Sequence, residues 1–137
     1  MSSERLVYVV DDDDSVRRSA TFMLRHAGFK VHPVESGVAF LKLAKGAERG
    51  CVLLDVRMPD MDGLQVQQQM ISDGIDMPVV ILTGHGDVEI AVQAMRAGAI
   101  NFLEKPYEKE ALIGAMEEAF VRLENSELKE MAASEAK

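Results

Sequence analysis

The sequence of 137 residues has a single cysteine and no apolar run near the length of a membrane-spanning helix. The one cysteine, Cys51, can form neither an internal disulfide nor a cysteine-rich metal site, which fits a reducing compartment. A membrane helix needs roughly 20 apolar residues, and the first apolar run, Leu6–Val10, is also too short for a signal peptide. These absences predict a soluble cytoplasmic protein with no membrane partner.

Positively charged residues are also fewer than negatively charged ones. The chain has 15 Lys and Arg residues against 23 Asp and Glu residues, so its formal net charge is −8. Affinity for nucleic acid and for anionic lipid depends on cationic side chains, and neither is therefore an expected direct partner. The composition, 47% hydrophobic and 28% charged, is that of a globular chain, and the length suits a single domain.

Five short apolar or β-branched segments alternate with segments of helical periodicity. The predicted strands lie at residues 6–10, 30–34, 51–54, 78–82 and 100–103. Candidate N-caps mark several of the intervening helices, among them Ser36, Asp62 and Asp87. Right-handed crossovers between such strands favour an α/β fold, namely a (βα)5 doubly wound parallel five-stranded sheet of the flavodoxin-like type.

Polar residues follow these strands at the edge where doubly wound sheets bind their ligands. Four aspartates, Asp11 to Asp14, follow the first strand, and Asp55, Thr83 and Lys105 follow the third, fourth and fifth. Adjacent carboxylates favour a hard divalent cation, above all Mg²⁺, while Thr83 and Lys105 can donate to phosphate oxygens. The pattern predicts metal-assisted phosphoryl chemistry, in which Asp55 is the nucleophile and the first two aspartates hold the metal.

Four segments, taken together and in order, resemble the receiver domain of two-component response regulators over about residues 5 to 123. They are VVDD at 9–12, LDVRMP at 54–59, LTGHGD at 82–87 and FLEKP at 102–106. The residues of the last two segments are similar to those of the FixJ-like branch of that family. The resemblance implies the flavodoxin-like receiver fold.

The resemblance also implies a role for each matching residue. Asp55 corresponds to the phosphoacceptor, Asp12 to the direct Mg²⁺ ligand and Asp11 to the acidic neighbour that reaches the metal through water. Asp55 and the backbone carbonyl of Arg57 would be further metal ligands, and Mn²⁺ is a second candidate ion. Lys105 corresponds to the ammonium group that pairs with the phosphoryl group.

A second set of matching residues is implied to report and regulate the phosphorylated state. Thr83 and Phe102 correspond to the switch hydroxyl and the switch aromatic residue, whose ring turns inward when Thr83 moves toward the phosphate. Arg57 and His85 occupy positions that in this family tune how fast the phosphoryl group is lost.

These implied roles describe a signalling domain and not a conventional enzyme, although the domain would catalyse its own phosphorylation and slow dephosphorylation. A phosphohistidine on a sensor histidine kinase or a phosphotransfer protein would supply the phosphoryl group. The switched form would dimerise through the fourth helix and fifth strand or bind an output partner. FixJ-like proteins contact DNA through a helix-turn-helix output domain, and none is expected within these residues.

Two other classes of protein compete with this interpretation. Residues 12–16 fit the D-x-D-x-[TV] pattern of haloacid-dehalogenase-like phosphatases, which also use an Asp nucleophile. That family places its acidic metal pair after its lysine, whereas only helix glutamates such as Glu117 and Glu118 follow Lys105. A phosphorylation-independent pseudo-receiver that serves only as an interaction module would lack one of the key residues, and all of them occur here.

Helical character continues beyond the length of the family's last helix. We therefore expect a receiver domain at residues 1–123 and a helical C-terminal extension or linker, rich in Ala, Glu and Lys, at residues 124–137. The extension carries Leu128 and Met131, but their spacing is too irregular to predict a coiled coil. A receiver within a longer regulator and a single-domain regulator both remain open at this point.

Overall fold

The computed structural model of the protein describes residues 5–135, in which five strands alternate with five helices. The strands are β1 (Leu6–Val10), β2 (Lys30–Val34), β3 (Cys51–Asp55), β4 (Val79–Thr83) and β5 (Asn101–Glu104). The helices are α1 (Asp14–His26), α2 (Gly37–Ala44), α3 (Gly63–Asp73), α4 (Val88–Arg96) and α5 (Lys109–Glu135). Residues 1–4 of the predicted receiver domain and residues 136–137 of the predicted extension lie outside the described residues.

The strands form one parallel sheet in the order β2-β1-β3-β4-β5. The chain moves outward from β1 to β2 and then returns to place β3 on the other side of β1. Helices cover both faces, with α1 and α5 on one and α2, α3 and α4 on the other. The predicted doubly wound (βα)5 fold is confirmed.

The core consists of two apolar layers separated by the sheet. Residues of β1 alternate between them, so that Val7 and Val9 pack toward α1 and α5 while Tyr8 and Val10 pack toward α2 and α3. Strands β1, β3 and β4 are buried along their whole length, which explains their almost continuous apolar sequences.

The three later strands reach one residue farther than the sequence pattern predicted. Asp55 pairs with Leu82 in the β3–β4 ladder, and Thr83 pairs with Glu104 in the β4–β5 ladder. The apolar pattern ends before these polar residues, whereas the backbone pairing includes them. Asp55 and Thr83 are therefore held by sheet hydrogen bonds and do not belong to flexible loops.

Capping side chains begin three of the helices. Asp13 accepts from the backbone N–H groups of Ser15 and Val16, Ser36 caps α2, and Asp62 forms a capping box in α3. The prediction that Asp87 caps α4 with its side chain is wrong, because that carboxylate caps none of the backbone N–H groups that the structure describes. It is bound instead by the Arg57 guanidinium, a stronger charge-assisted partner.

Helix α5 is continuous over 27 residues and includes the described part of the predicted extension. Among residues 109–133, Leu123 is the last buried residue of this helix. Beyond it, the Glu130 carboxylate accepts two hydrogen bonds of 3.0 Å from Arg49, which precedes β3 and also binds Asp76. Within residues 5–135, no helix combines the length and the apolar character needed to cross a bilayer. The division of the chain near residue 123 stays a prediction.

Gly50 allows close approach of the segment before β3 to β1. A Cβ atom at this position would overlap the backbone oxygen of Leu6, whereas a Cβ at Gly114 on α5 would meet nothing within 4 Å among the described residues. We expect Gly50→Ala to lower the free energy of unfolding by about 2 kcal/mol because the backbone must shift. The control Gly114→Ala should raise it by about 0.5 kcal/mol through helix propensity. Urea unfolding followed by circular dichroism measures both, and equal stability of Gly50→Ala and wild type would contradict this close packing.

Candidate functional site

Three carboxylates meet at the point where the strand order reverses. Asp11 follows β1 and Asp55 ends β3, and these two strands are neighbours in the sheet. One carboxylate oxygen from each of Asp11, Asp12 and Asp55 lies within 4.8 Å of the others. Asp11 and Asp55 are buried, whereas Asp12 is exposed. The structure thus brings together the three side chains that the sequence predicted as metal ligands.

Lys105 reaches this cluster from the far edge of the sheet. Its Nζ atom lies 3.0 Å from Oδ1 of Asp55 and 3.4 Å from Oδ2 of Asp11. The backbone N–H of Lys105 donates to the carbonyl of Thr83, which ties the end of β5 to the end of β4. The following peptide bond, between Lys105 and Pro106, is cis. Lys105 therefore lies beside the predicted nucleophile.

Burial and mutual repulsion perturb the acidic residues. Burial raises the pKa of Asp55 to about 6, and the charges of Asp11 and Asp12 add to this effect while Lys105 opposes it. The pKa of Asp11 is also raised, mainly by burial. Burial would lower the pKa of Lys105, but hydrogen bonds and attraction from the two buried aspartates raise it overall. Within the described cluster, one ammonium group faces three carboxylates and leaves an excess of negative charge.

The donor set fits a hard divalent cation. All three side chains offer oxygen atoms, and a divalent ion among them would neutralise the excess negative charge. The carbonyl of Arg57 stays a predicted ligand.

Thr83 and Phe102 lie on neighbouring strands at the side of the site that faces α4. Thr83 is buried, and its hydroxyl donates to the carbonyl oxygen of Leu103 at 3.4 Å. Phe102 is 42% exposed and lines, with Thr83, Val92 and Met95, a groove of about 360 Å³ between α4 and β5. The hydroxyl of Thr83 is thus bound to β5, and the ring of Phe102 faces outward.

Two further contacts form the rim of the site. The Arg57 guanidinium binds the Asp87 carboxylate through Nε at 3.1 Å and Nη2 at 3.0 Å. This contact lowers the pKa of Asp87 and raises that of Arg57, to which the charge of Asp55 also contributes. On the opposite side, the backbone N–H of Gly86 donates to Glu104 at 2.8 Å. His85 is largely exposed, with Nδ1 3.8 Å from the same glutamate.

The sequence analysis missed the roles of Asp87 and Glu104 in these contacts. Asp87 has the position of a helix cap, and Glu104 belongs to a strand, so neither carries a local signal for its partner. Only tertiary packing identifies the pairs, of one loop against another for Asp87 and of a loop against β5 for Glu104.

The fold and the site together define a class of protein, the receiver-type α/β domains. Comparison with known families matches residues 7–117 to the response regulator receiver domain, and the chain belongs to that family. It is 41% identical over 135 residues to the transcriptional regulatory protein FixJ of Bradyrhizobium diazoefficiens, a match that covers 98% of this chain and 66% of that protein. It is 43% identical over 129 residues to FixJ of Azorhizobium caulinodans, covering 94% of this chain and 61% of the relative.

Solved structures agree with this assignment. The crystal structure of FixJ-N superposes with a TM-score of 0.83 and 42% sequence identity, covering 86% of this chain and 94% of that one. Full-length FixJ from B. japonicum superposes with a TM-score of 0.87 and 40% identity, covering 98% of this chain and 66% of that one. The chain therefore spans less than two thirds of the full-length FixJ proteins that it matches, and it is a FixJ-like receiver domain.

The raised pKa of Asp55 predicts how stability depends on pH in metal-free buffer. Folding raises this pKa from 3.8 to about 6. The preference of the folded state for protonated Asp55 therefore contributes fully to the free energy of unfolding below pH 4, and this contribution is lost as the pH rises through 6. Asp55→Asn removes the buried charge, so we expect it to be more stable than wild type by about 2 kcal/mol above pH 7 and to differ little at pH 4. Urea unfolding in EDTA at several pH values checks this. A variant no more stable than wild type above pH 7 would contradict the electrostatic account.

Proposed function

We propose that this domain receives a phosphoryl group on Asp55 from a phosphohistidine of a sensor histidine kinase or a phosphotransfer protein. The observation that supports it most directly is the position of the Lys105 ammonium, 3.0 Å from an Asp55 oxygen within an acidic cluster. In the transfer, the Asp55 oxygen forms a bond to phosphorus, the bond from phosphorus to the histidine nitrogen breaks, and an acyl phosphate results. The family match favours this function over a phosphatase, and the presence of Asp55 beside Lys105 in the acidic cluster favours it over a pseudo-receiver.

Phosphoryl transfer depends mainly on positioning and charge neutralisation. Asp11, Asp12 and Asp55 would hold Mg²⁺, with Mn²⁺ as a second candidate, and the carbonyl of Arg57 would complete the protein ligands. The ion supplies positive charge beside the phosphoryl oxygens when it is bound. Lys105 supplies a second positive charge from the β5 side, because its ammonium already contacts the accepting carboxylate.

The same residues would catalyse self-phosphorylation from small donors and slow hydrolysis of the acyl phosphate. Arg57 and His85 at the rim would set the rate of hydrolysis. This activity serves a signal and not the turnover of a metabolite. A cytoplasmic location suits a partner kinase whose phosphohistidine faces that compartment.

Switching would begin at Thr83. In the unphosphorylated domain, the Thr83 hydroxyl makes a long hydrogen bond of 3.4 Å to the neutral carbonyl of Leu103. A phosphoryl group on Asp55 would offer this hydroxyl a charged acceptor instead. Movement of Thr83 would open space for the exposed ring of Phe102 to turn inward. The groove between α4 and β5 would then change shape, and a homodimer or an output partner would form on that face. The relatives are named transcriptional regulators, so DNA would be reached only through a separate output domain.

The phosphoacceptor is tested by intact mass after incubation with Mg²⁺ and acetyl phosphate. We expect one phosphoryl adduct on wild type, lost on treatment with hydroxylamine because an acyl phosphate is cleaved by this nucleophile. Asp55→Asn should remain unmodified because its amide is a poor nucleophile of nearly the same shape. Omission of Mg²⁺ by addition of EDTA is the control. An adduct on Asp55→Asn would disprove the site, and no adduct on any form, even with beryllofluoride trapping, would disprove the function.

The switch is tested with Thr83→Ala. The variant should still accept the phosphoryl group, because the hydroxyl reports its presence and does not form the acyl phosphate. Its backbone amide NMR signals in α4 and β5, and its sedimentation coefficient, should change less than those of wild type on phosphorylation. Equal responses of the two proteins would contradict the role of Thr83, and unchanged sedimentation of phosphorylated wild type would contradict dimerisation.

A further inference from the structure

The contact between Arg57 and Asp87 links two loops on either side of the phosphoacceptor. Arg57 comes two residues after Asp55, and Asp87 comes four residues after Thr83. The guanidinium and the carboxylate form two hydrogen bonds, at 3.1 Å and 3.0 Å, in the fork geometry that gives the strongest pairs of this kind. The positive charge nearest in sequence to Asp55 is thus neutralised by a partner outside the acidic cluster.

The location of Asp87 suggests that its carboxylate is committed to Arg57. Its position at the start of α4 would ordinarily lead an aspartate to cap the helix, yet the Asp87 side chain caps none of the described N–H groups. The Asp87 side chain is only 20% exposed, whereas the Arg57 side chain is 67% exposed. Asp87 is therefore the more enclosed member of the pair, and Arg57 is the longer, exposed member that has room to change partner.

The loop that carries Asp87 is held by contacts that do not involve Arg57. The backbone N–H of Gly86 donates to Glu104 at 2.8 Å, and the N–H of Asp87 donates to the carbonyl of Gly84 at 3.2 Å. Release of the guanidinium would therefore leave the loop in place. This separation makes it possible to change the partner of Arg57 without rebuilding the site.

A phosphoryl group on Asp55 would compete with Asp87 for this guanidinium. It brings close to two negative charges and three acceptor oxygens to a position near Arg57. We propose that Asp87 is a positioning residue that acts through Arg57. By holding the guanidinium at the start of α4, it keeps that group away from the phosphoryl oxygens, leaves phosphorus accessible to water and shortens the lifetime of the acyl phosphate. The proposal rests on the proposed function of Asp55.

The test is a double-mutant cycle on the lifetime of the phosphorylated protein. Asp87→Ser removes the carboxylate but keeps a side chain that suits the start of a helix. We expect it to slow loss of the phosphoryl group by about tenfold, the effect of one charge-assisted hydrogen bond gained by the phosphoryl group. In an Arg57→Gln background the same substitution should have no effect, because the group that Asp87 restrains is missing. The lifetime is followed by intact mass after the acetyl phosphate is removed in Mg²⁺ buffer.

A matched control separates direct pairing from general electrostatics. Glu89 is exposed and lies in the first turn of α4, so Glu89→Gln removes one negative charge close to Asp87. It should leave the lifetime of the acyl phosphate within about twofold of wild type, as expected for an exposed, screened charge. A slowing by Glu89→Gln as large as that by Asp87→Ser would overturn the proposal. Equal effects of Asp87→Ser with and without Arg57, or no slowing at all, would overturn it too.

A second readout uses the metal-free, unphosphorylated protein. The NMR signal of the Arg57 Nε–H group, assigned by its loss in Arg57→Gln, should shift in Asp87→Ser and stay in place in Glu89→Gln. An unshifted signal in Asp87→Ser would show that the pair does not form and would overturn the inference. Failure of wild type to take a phosphoryl group would instead overturn the proposed function, so the two failures are distinguishable.

Discussion

The ion pair between Lys105 and Asp55 crosses the carboxyl edge of the sheet and joins its outermost strand to its centre. Lys105 follows β5, and β4 lies between that strand and β3. The ammonium can reach Asp55 only because all strands are parallel, so that their carboxyl ends share one edge. The reversal of strand order then places Asp11 beside Asp55 from the other side. The site is therefore a consequence of backbone pairing, and the remaining contacts are arranged around this pair.

The electrostatics of the cluster are unfavourable by themselves and useful for function. Asp11 and Asp55 are buried next to each other, and a single ammonium does not balance them together with Asp12. A domain selected only for stability would replace such a group with apolar residues. The unbalanced charge favours a cation, and under the proposed function a bound cation would in turn favour a phosphoryl group. Apolar layers on both faces of the sheet compensate for the cost, since β1, β3 and β4 are buried throughout.

The rim connects the chemistry of Asp55 with the outer surface. Thr83 binds a carbonyl of β5, Asp87 binds Arg57, and Glu104 binds the backbone of Gly86. In the first two contacts the donor, the Thr83 hydroxyl or the Arg57 guanidinium, has an acceptor that a phosphoryl group could replace. The third contact holds the segment between β4 and α4 in place. Under the proposed function, a new charge on Asp55 would therefore alter the groove between α4 and β5 through a few short steps.

Much of the fold and of the candidate site could be predicted from the sequence, because local patterns encode them. The alternation of apolar strand segments with helical segments indicated a doubly wound sheet. That topology places Asp55, Thr83 and Lys105 at one edge of the sheet, even if the predicted end of a strand is wrong by one residue. Long-range partners could not be predicted in this way. Asp87 has the local signature of a cap, and only tertiary packing decided that its carboxylate binds Arg57, because a charge-assisted fork outcompetes a backbone N–H group. Tertiary structure likewise decided that Thr83 is bound to β5 and that Arg49 holds Glu130 on α5, since side chains so distant in sequence meet only after the strands are paired.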